Sequence, residues 1–387
     1  MHELTKPKVT ILSIIGLVMA VYLVIFAPYS IDKSQDIVIK KLSGLSGLLE
    51  KEGALRLDAG KKILTLTQNP DRPDMATEVK QVGIILQTAA AKEMKHPKLK
   101  GAGAILDKAA GAILKEAASL SSGDPVRVEF LKEKGEALAG AGKGMIKKSE
   151  RLMKVVSLRM YVSSYWRGLE VFGGLFLLLT VYALYRKEKW AFPAMVTIMA
   201  LAPIGGFYIS LAGAVFFKEP AGFITFGVGL VAFWAVIAIG QDNTKDRIVY
   251  LVVLTLLGMI GTDAFSFAEH GIRGILDMPY AATVTDPAQA ILRYGGPIAF
   301  YTTIAVFIAI YKLAAKSPMG WWFATQASLG IMVVGFPIDY LRQKDSFFIF
   351  GLTLSTYFVG AMLGLLLLII LLLPYFKKEL LPDPSET

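Results

Sequence analysis

Residues 220–241 read PAGFITFGVGLVAFWAVIAIGQ and contain no Asp, Glu, Lys or Arg. Four further uncharged runs of similar or greater length lie at residues 190–217, 294–311, 317–338 and 346–376. A transmembrane helix needs about 20 apolar residues to cross a hydrocarbon core of roughly 30 Å. The stretch from Gly168 to Phe376 therefore predicts a helical membrane body with short charged breaks between its spans.

The composition supports a membrane protein and excludes several cofactors. Hydrophobic residues make up 54% of the chain, charged residues 19%, and the mean hydropathy is +0.53, too apolar for a soluble chain of this length. No cysteine is present, which excludes iron–sulfur clusters, thiolate metal sites and disulfides. None of the three histidines lies at the centre of an apolar run, so we expect no bis-histidine haem and no redox cofactor.

The N-terminal part combines an anchor with a basic helical segment. The uncharged run Val9–Ile31 has an apolar part of about 20 residues, longer than a signal-peptide core, and no Ala-x-Ala pattern follows it, so we predict an uncleaved signal anchor. Residues 30–165 hold 24 Lys and Arg against 16 Asp and Glu. A basic segment tethered beside a bilayer favours anionic lipid headgroups or an acidic protein partner over nucleic acid.

Residues 32–165 are predicted to form a helical bundle. The near-repeat GAILDKAA–GAILKEAA at 103–118 places apolar residues at helical spacing. The predicted buried stripe is Leu106, Ala110, Ile113, Ala117 and Leu120. Breaks at 69–73, 96–97 and 121–125 leave about four helices, which bury such stripes economically as an antiparallel bundle. Asp124 is predicted to cap the last helix, which then continues into the second span.

The predicted organisation is an all-α polytopic membrane protein of about eight transmembrane helices, with an extracytoplasmic helical domain between helices 1 and 2. The predicted divisions are 1–31 (tail and anchor), 32–165 (helical domain), 166–376 (seven-helix body) and 377–387 (tail). Short breaks hold eleven Lys and Arg on one side and five on the other. The positive-inside rule then places both termini in the cytoplasm and the protein in the inner or plasma membrane. Flanking residues of the helical domain, Arg159 among them, are also basic and reduce this asymmetry.

The third predicted span contains Pro203 followed by Gly205 and Gly206. A proline followed by paired glycines can open a helix and expose carbonyl groups, as in transporters with broken helices. A kink packed against neighbouring helices is the alternative, since Gly and Pro are common in transmembrane helices.

Two acidic residues, Asp263 and Asp339, lie inside apolar runs near their ends. Intramembrane carboxylates indicate a proton or cation site, and pairing with Arg273 or Arg342 at the interface is the structural alternative. Glu269 and His270 stand beside Arg273 at helical spacing, where Glu269 and Arg273 can pair. One histidine among scattered carboxylates is a weak metal signature, so no metal is predicted.

Three hypotheses for function follow. No phosphate-binding loop, zinc-binding helix or nucleophile elbow is present, which favours a non-catalytic subunit or scaffold whose helical domain docks an extracytoplasmic protein partner. An ion or small-solute transporter or channel would use the Pro203 break with Asp263 and Asp339. The layout also resembles that of bacterial seven-span receptors with an outer sensing domain, which implies a sensor that relays to a cytoplasmic partner. No organic cofactor is predicted, although a quinone or lipid could lie between spans.

Overall fold

The computed structural model describes residues 4–97, 99–120, 124–217, 223–277, 287–341, 347–349 and 352–381. Almost all of this part of the chain is helical. The helices are α1 (Lys6–Val21), α2 (Ala27–Gln68), α3 (Met75–Lys95), α4 (Lys100–Ser119), α5 (Pro125–Tyr185), α6 (Ala191–Met199), α7 (Leu201–Phe217), α8 (Phe223–Gly240), α9 (Thr244–Asp277), α10 (Pro287–Ala314), α11 (Pro318–Leu341), α12 (Thr356–Leu372) and α13 (Pro374–Leu380). A π-helical turn, Tyr22–Phe26, joins α1 to α2.

Seven helical segments of the described chain are long and apolar enough to cross a membrane, and the bent pair α12 and α13 makes an eighth when counted as one span. The prediction of a helical protein with several long apolar helices able to span a membrane is thereby confirmed. One span was predicted too long, because residues 347–376 are not one helix. Strands β1 (Phe347–Ile349) and β2 (Leu352–Leu354) pair antiparallel before α12 begins, and α12 and α13 meet at 79°, since the residue before a proline disfavours helical backbone.

The chain divides into two compact units. Residues Met1–Val38 and Leu158–Thr387 form one, called the membrane unit here, and Ile39–Ser157 form the other, called the helical unit. Helices α2 and α5 contribute residues to both units.

The helical unit has its own apolar core, built from parts of α2 and α5 with α3 and α4. Leu106, Ala110, Ile113 and Ala117 of the predicted stripe are buried, and Leu120 packs partly buried against them. The predicted cap of α5 is also present, because the Val126 amide donates to Asp124 Oδ1 at 3.1 Å. The helical periodicity of the sequence therefore identified the buried face of α4 correctly.

Glycines let α2 and α5 approach closely in the helical unit. A Cβ atom added at Gly142 would lie 2.5 Å from the carbonyl oxygen of Gly53, and one at Gly60 would lie 2.6 Å from that of Gly135. Real Cβ atoms do not approach an oxygen so closely, so only glycine permits this backbone-to-backbone packing.

The membrane unit is organised around α9, which contacts α7, α8, α10, α11, α12 and α13. The buried residues of α9 recur at helical spacing, among them Val253, Leu257, Ile260, Ala264 and Phe267. A helix with protein on several faces can carry polar side chains that a lipid-facing helix cannot.

The third span has one non-helical residue, Ala200, between α6 and α7, three residues before the predicted break that begins at Pro203. Pro203 has no amide hydrogen for the carbonyl of Met199, and its ring crowds that carbonyl, which displaces the interruption toward the preceding turn. The Ile204 amide still donates to the Ala200 carbonyl at 3.2 Å. Helix α7 then continues through both glycines.

Candidate functional site

The inward face of α5 in the membrane unit carries a completely buried carboxyl, Glu170. Among the residues that the structure describes, neither of its carboxylate oxygens has a hydrogen-bond partner. Trp166, four residues earlier, and Arg159, eleven residues earlier, lie on the same face of the helix and are also buried. These three side chains form a buried polar stripe along one face of the helix.

Glu170 lies near the start of the apolar part of α5, one of the helices that are long and apolar enough to cross a membrane. At about 1.5 Å per residue it is about 16 Å from Arg159 and about 22 Å from Tyr185, where α5 ends. A hydrocarbon core of roughly 30 Å that ends near Tyr185 includes Glu170 and leaves Arg159 near the opposite boundary.

The π-helical turn of the first span faces this part of α5. A Cβ atom at Gly174, one turn beyond Glu170, would lie 2.9 Å from the Ala20 carbonyl oxygen and 2.8 Å from a Val24 methyl group. Tyr22, the first residue of the turn, interacts electrostatically with Glu170, and its hydroxyl donates to Thr225 Oγ1 of α8 at 3.3 Å. Single π turns inside α-helices occur frequently at functional sites.

The glycines predicted as a helix break form another wall of the same region. A Cβ atom at Gly205 would lie 2.8 Å from the indole ring of Trp166, and one at Gly206 would lie 2.6 Å from the Phe226 amide nitrogen. Both glycines therefore permit close packing against neighbouring helices. The Trp166 indole nitrogen is buried without a hydrogen-bond partner in the described part of the chain.

A second polar group, the arginine cluster, consists of Gln35, Arg159, Tyr208 and Glu269. Arg159 Nε donates to Gln35 Oε1 at 3.1 Å, and its Nη1 lies 3.9 Å from Glu269 Oε2. The Tyr208 hydroxyl donates to the same Glu269 oxygen, and the guanidinium lies 5.6 Å from the Tyr208 ring centre.

The arginine cluster adjoins Glu170 through aromatic side chains. The Phe265 ring lies 5.0 Å from Trp166 and 5.0 Å from Tyr208, centre to centre. Arg159 was assigned from the sequence to the basic flank of the helical domain, but only 7% of its surface is exposed. Its charge is held by Glu269 and Gln35 instead of by water.

The predicted cluster around His270 divides between two faces of α9. Glu269 points to α7, whereas His270 stacks near Tyr357 of α12 with ring centres 5.9 Å apart. Asp263 lies on the α12 side as well, because a Cβ atom at Gly360 would lie 3.3 Å from the Cβ of Asp263. The residues of the predicted cluster are neighbours in the sequence. Successive residues on a helix point in different directions, so Glu269 and His270 face different helices.

The remaining predicted residues lie near the ends of the described segments. Asp339 is half-buried in the last turn of α11. The side chain of Arg273 and all of Arg342 lie outside the described residues, so their predicted pairing with Glu269 and Asp339 stays a prediction. Within the described chain no three His, Asp or Glu side chains are grouped so as to hold a metal ion.

The sequence analysis did not identify Glu170, although it is the third residue of the apolar run from Gly168 to Tyr185. Charged residues at the end of a span are usually interfacial, and hydropathy does not show which face they occupy. The spacing of Arg159, Trp166 and Glu170 at i, i+7 and i+11 could have indicated that they share a face.

Comparisons of the chain with protein-family models, with curated proteins and with solved structures found no match.

Proposed function

We propose that this protein is a membrane transporter for protons or small cations, with Glu170 as the ion-binding carboxyl. The proposal rests on one observation: Glu170 is completely buried in a span without a hydrogen-bond partner in the described chain. An unpaired carboxylate in such surroundings costs several kcal/mol. The group therefore carries a proton or meets a cation, and ionisable residues inside membranes commonly mark such pathways.

The surroundings support an exchange of ions at Glu170. Tyr22 and Thr225 place two hydroxyl groups on neighbouring helices, and hydroxyl oxygens can donate to a carboxylate or accept from a carboxylic acid.

This proposal develops the transporter hypothesis from the sequence, with a changed site. The hypothesis assigned ion binding to a helix opened at Pro203 and to Asp263 and Asp339. The space beside Gly205 and Gly206 is occupied by neighbouring side chains and backbone. The subunit and receptor hypotheses stay predictions, and neither gives the buried Glu170 carboxyl a role.

The test is proton flux in proteoliposomes. The purified full-length protein is reconstituted with a trapped pH-sensitive dye, and a potassium diffusion potential drives protons inward. We expect Glu170→Gln to reduce the flux about tenfold or more, because an amide cannot carry the proton. Glu150→Gln is the matched control, since Glu150 is exposed on the same helix.

Chemical labelling gives a second readout. A hydrophobic carbodiimide enters the membrane and modifies protonated carboxyls, so mass spectrometry should find the adduct on the peptide that contains Glu170. Wild-type flux equal to that of protein-free liposomes, or equal flux in wild type and Glu170→Gln, would overturn the proposal.

A further inference from the structure

A cavity of about 230 Å³ lies in the membrane unit at the end of the spans opposite Arg159. The ends of α5, α8 and α10 meet there with the beginning of α6 and with residues near the N-terminus. Three lysines line it, Lys187, Lys189 and Lys316, together with Glu188 and Asp242. Three breaks between apolar runs thus come together at one place.

Two of these lysines adopt a backbone conformation that usually belongs to glycine. Lys187 has φ 58° and Lys316 has φ 53°, and they are the only non-glycine residues with positive φ in the described chain. Left-handed backbone is unfavourable for a residue with a Cβ atom, and such conformations cluster at functional sites.

Both lysines end a helix in the same way. The Glu188 amide donates to the Ala183 carbonyl at 3.0 Å after Lys187, and the Ser317 amide donates to the Lys312 carbonyl at 2.8 Å after Lys316. This is the helix ending in which glycine is the usual residue at the left-handed position. Glycine would be less strained at both positions, whereas lysine adds a positive charge at the end of each helix.

The charges around the cavity are unequally balanced. The Asp242 carboxylate is neutralised by Lys8, whose Nζ lies 2.5 Å away, and Lys316 lies 3.5 Å from Asp246. The lining itself holds three lysines against two carboxylates, Glu188 and Asp242. Additional basic residues belong to the same breaks, namely Lys6, Arg186, Lys245, Arg247 and Lys312. The local field therefore favours an anion.

The other wall of the cavity is apolar. Leu4, Val9, Leu184, Phe192 and Ala314 contribute it. A volume of about 230 Å³ is smaller than that of most drug-sized sites, which hold roughly 300–1,000 Å³. A cavity with one cationic and one apolar wall at the end of the spans suits a phosphate group attached to an apolar molecule, and basic pockets between transmembrane helices bind anionic headgroups in this way.

We propose that this cavity is a binding site for the phosphate group of an anionic phospholipid, held by Lys187, Lys189 and Lys316. The lysine ammonium groups bind the phosphate oxygens as point charges, and the apolar part of the lipid contacts the apolar wall. The site is separate from Glu170 and does not depend on the transport proposal.

Native mass spectrometry of the delipidated full-length protein tests the site with phosphatidylglycerol as the probe. The main variant is Lys187→Gly/Lys316→Gly, which removes two charges while glycine suits the left-handed backbone. We expect about tenfold weaker binding of phosphatidylglycerol in this variant, with a melting temperature equal to or above that of the wild type. Lys187→Arg/Lys316→Arg keeps the charges and should retain binding.

Two further arms identify the source of the phosphate. Phosphatidylcholine should bind much more weakly than phosphatidylglycerol, because its headgroup has no net charge. Inorganic phosphate at millimolar concentration should leave the lipid bound if the apolar wall contributes. Displacement of the lipid by inorganic phosphate would show a free-phosphate site and overturn the assignment to a lipid. Equal binding of phosphatidylglycerol by the wild type and the glycine variant would overturn the site itself.

Discussion

Glu93 of the helical unit and Glu170 of the membrane unit are both buried carboxyls, and they differ in their partners. Glu93 is 2% exposed, lies 2.6 Å from Arg56 Nη1 and accepts a 2.6 Å hydrogen bond from Arg56 Nη2. Glu170 is 0% exposed and has no such partner in the described chain. A buried carboxylate that is paired through two contacts can be part of a stable fold. A buried carboxyl without a partner lowers the stability of the folded state, so its presence requires another explanation.

The largest effect on stability should follow from replacing Arg56, the ion-pair partner of Glu93 in the helical unit. Arg56→Met leaves Glu93 as an unpaired buried charge, and such changes cost about 3–5 kcal/mol. Hydrogen exchange of the full-length protein should show lost protection in α3 and α4. Arg151→Met, at an exposed position on α5, is the control.

The double variant Arg56→Met/Glu93→Leu should recover much of this loss, because it removes both charges together. If the single variant loses no more protection than Arg151→Met, the ion pair contributes nothing and the contrast between the two carboxyls fails.

In the membrane unit, removing the buried carboxyl is expected to increase stability. Glu170→Leu replaces an unpartnered polar group by an apolar one of similar size and should stabilise the protein by about 1–3 kcal/mol. Thermal unfolding in detergent measures the change, with Glu93→Leu as the comparison that should lower the melting temperature. A decrease for Glu170→Leu as large as that for Glu93→Leu would show that Glu170 contributes to the fold.

A smaller effect depends on pH and concerns Glu52, in the charged part of α2. Burial raises the pKa of Glu52 above its ordinary value of 4.5, and a hydrogen bond to Glu93 and the charge of Glu93 raise it further, while Arg56 opposes this. The folded state therefore binds the proton more tightly than the unfolded state does. The contribution to stability is fully present below pH 4.5 and is lost as the pH rises through the folded-state pKa.

Glu52→Gln should remove this pH dependence and protect the helical unit at neutral pH. Hydrogen exchange of α2 and α3 at several pH values, corrected for intrinsic exchange rates, measures it. Glu50→Gln is the control because Glu50 is exposed two residues away. Protection in the wild type that stays constant above pH 4.5 would contradict the prediction.

The smallest effect compares two glycines of α5 in the helical unit. Nothing lies within 4 Å of a Cβ atom added at Gly140, so Gly140→Ala should stabilise the helix by about 0.5–1 kcal/mol. Gly142→Ala should be destabilising, because its Cβ would overlap the Gly53 carbonyl. Thermal unfolding of both variants tests whether the close approach of α2 and α5 is correctly placed, and shifts of the same sign would refute it.

Particular elements show how far sequence reasoning reached. Uncharged runs identified the spans because hydrocarbon excludes charge and requires helical hydrogen bonding over about 20 residues. The stripe Leu106–Ala117 identified a buried helix face by its periodicity. The run at 346–376 was read as one span because hydropathy does not distinguish a helix from a short hairpin followed by a bent helix.

The sequence analysis identified only part of the candidate site. Gly205 and Glu269 were singled out from the sequence, and they lie against Trp166 and Arg159 respectively, but for other reasons than those proposed. Gln35, Arg159 and Glu269 are far apart along the chain and meet through the packing of α2, α5 and α9. No local pattern encodes such a contact.

The sequence by itself determined that this is a helical protein with several segments long and apolar enough to span a membrane and an additional basic helical segment, because hydropathy and helical periodicity are local properties of the chain. Only the tertiary structure decided that Arg56 neutralises Glu93 and that Arg159 lies beside Glu269. It also decided that the Glu170 carboxyl has no hydrogen-bond partner in the described chain. The energy of a buried charge depends on which groups surround it in three dimensions, and that arrangement comes from the packing of helices that are distant in sequence.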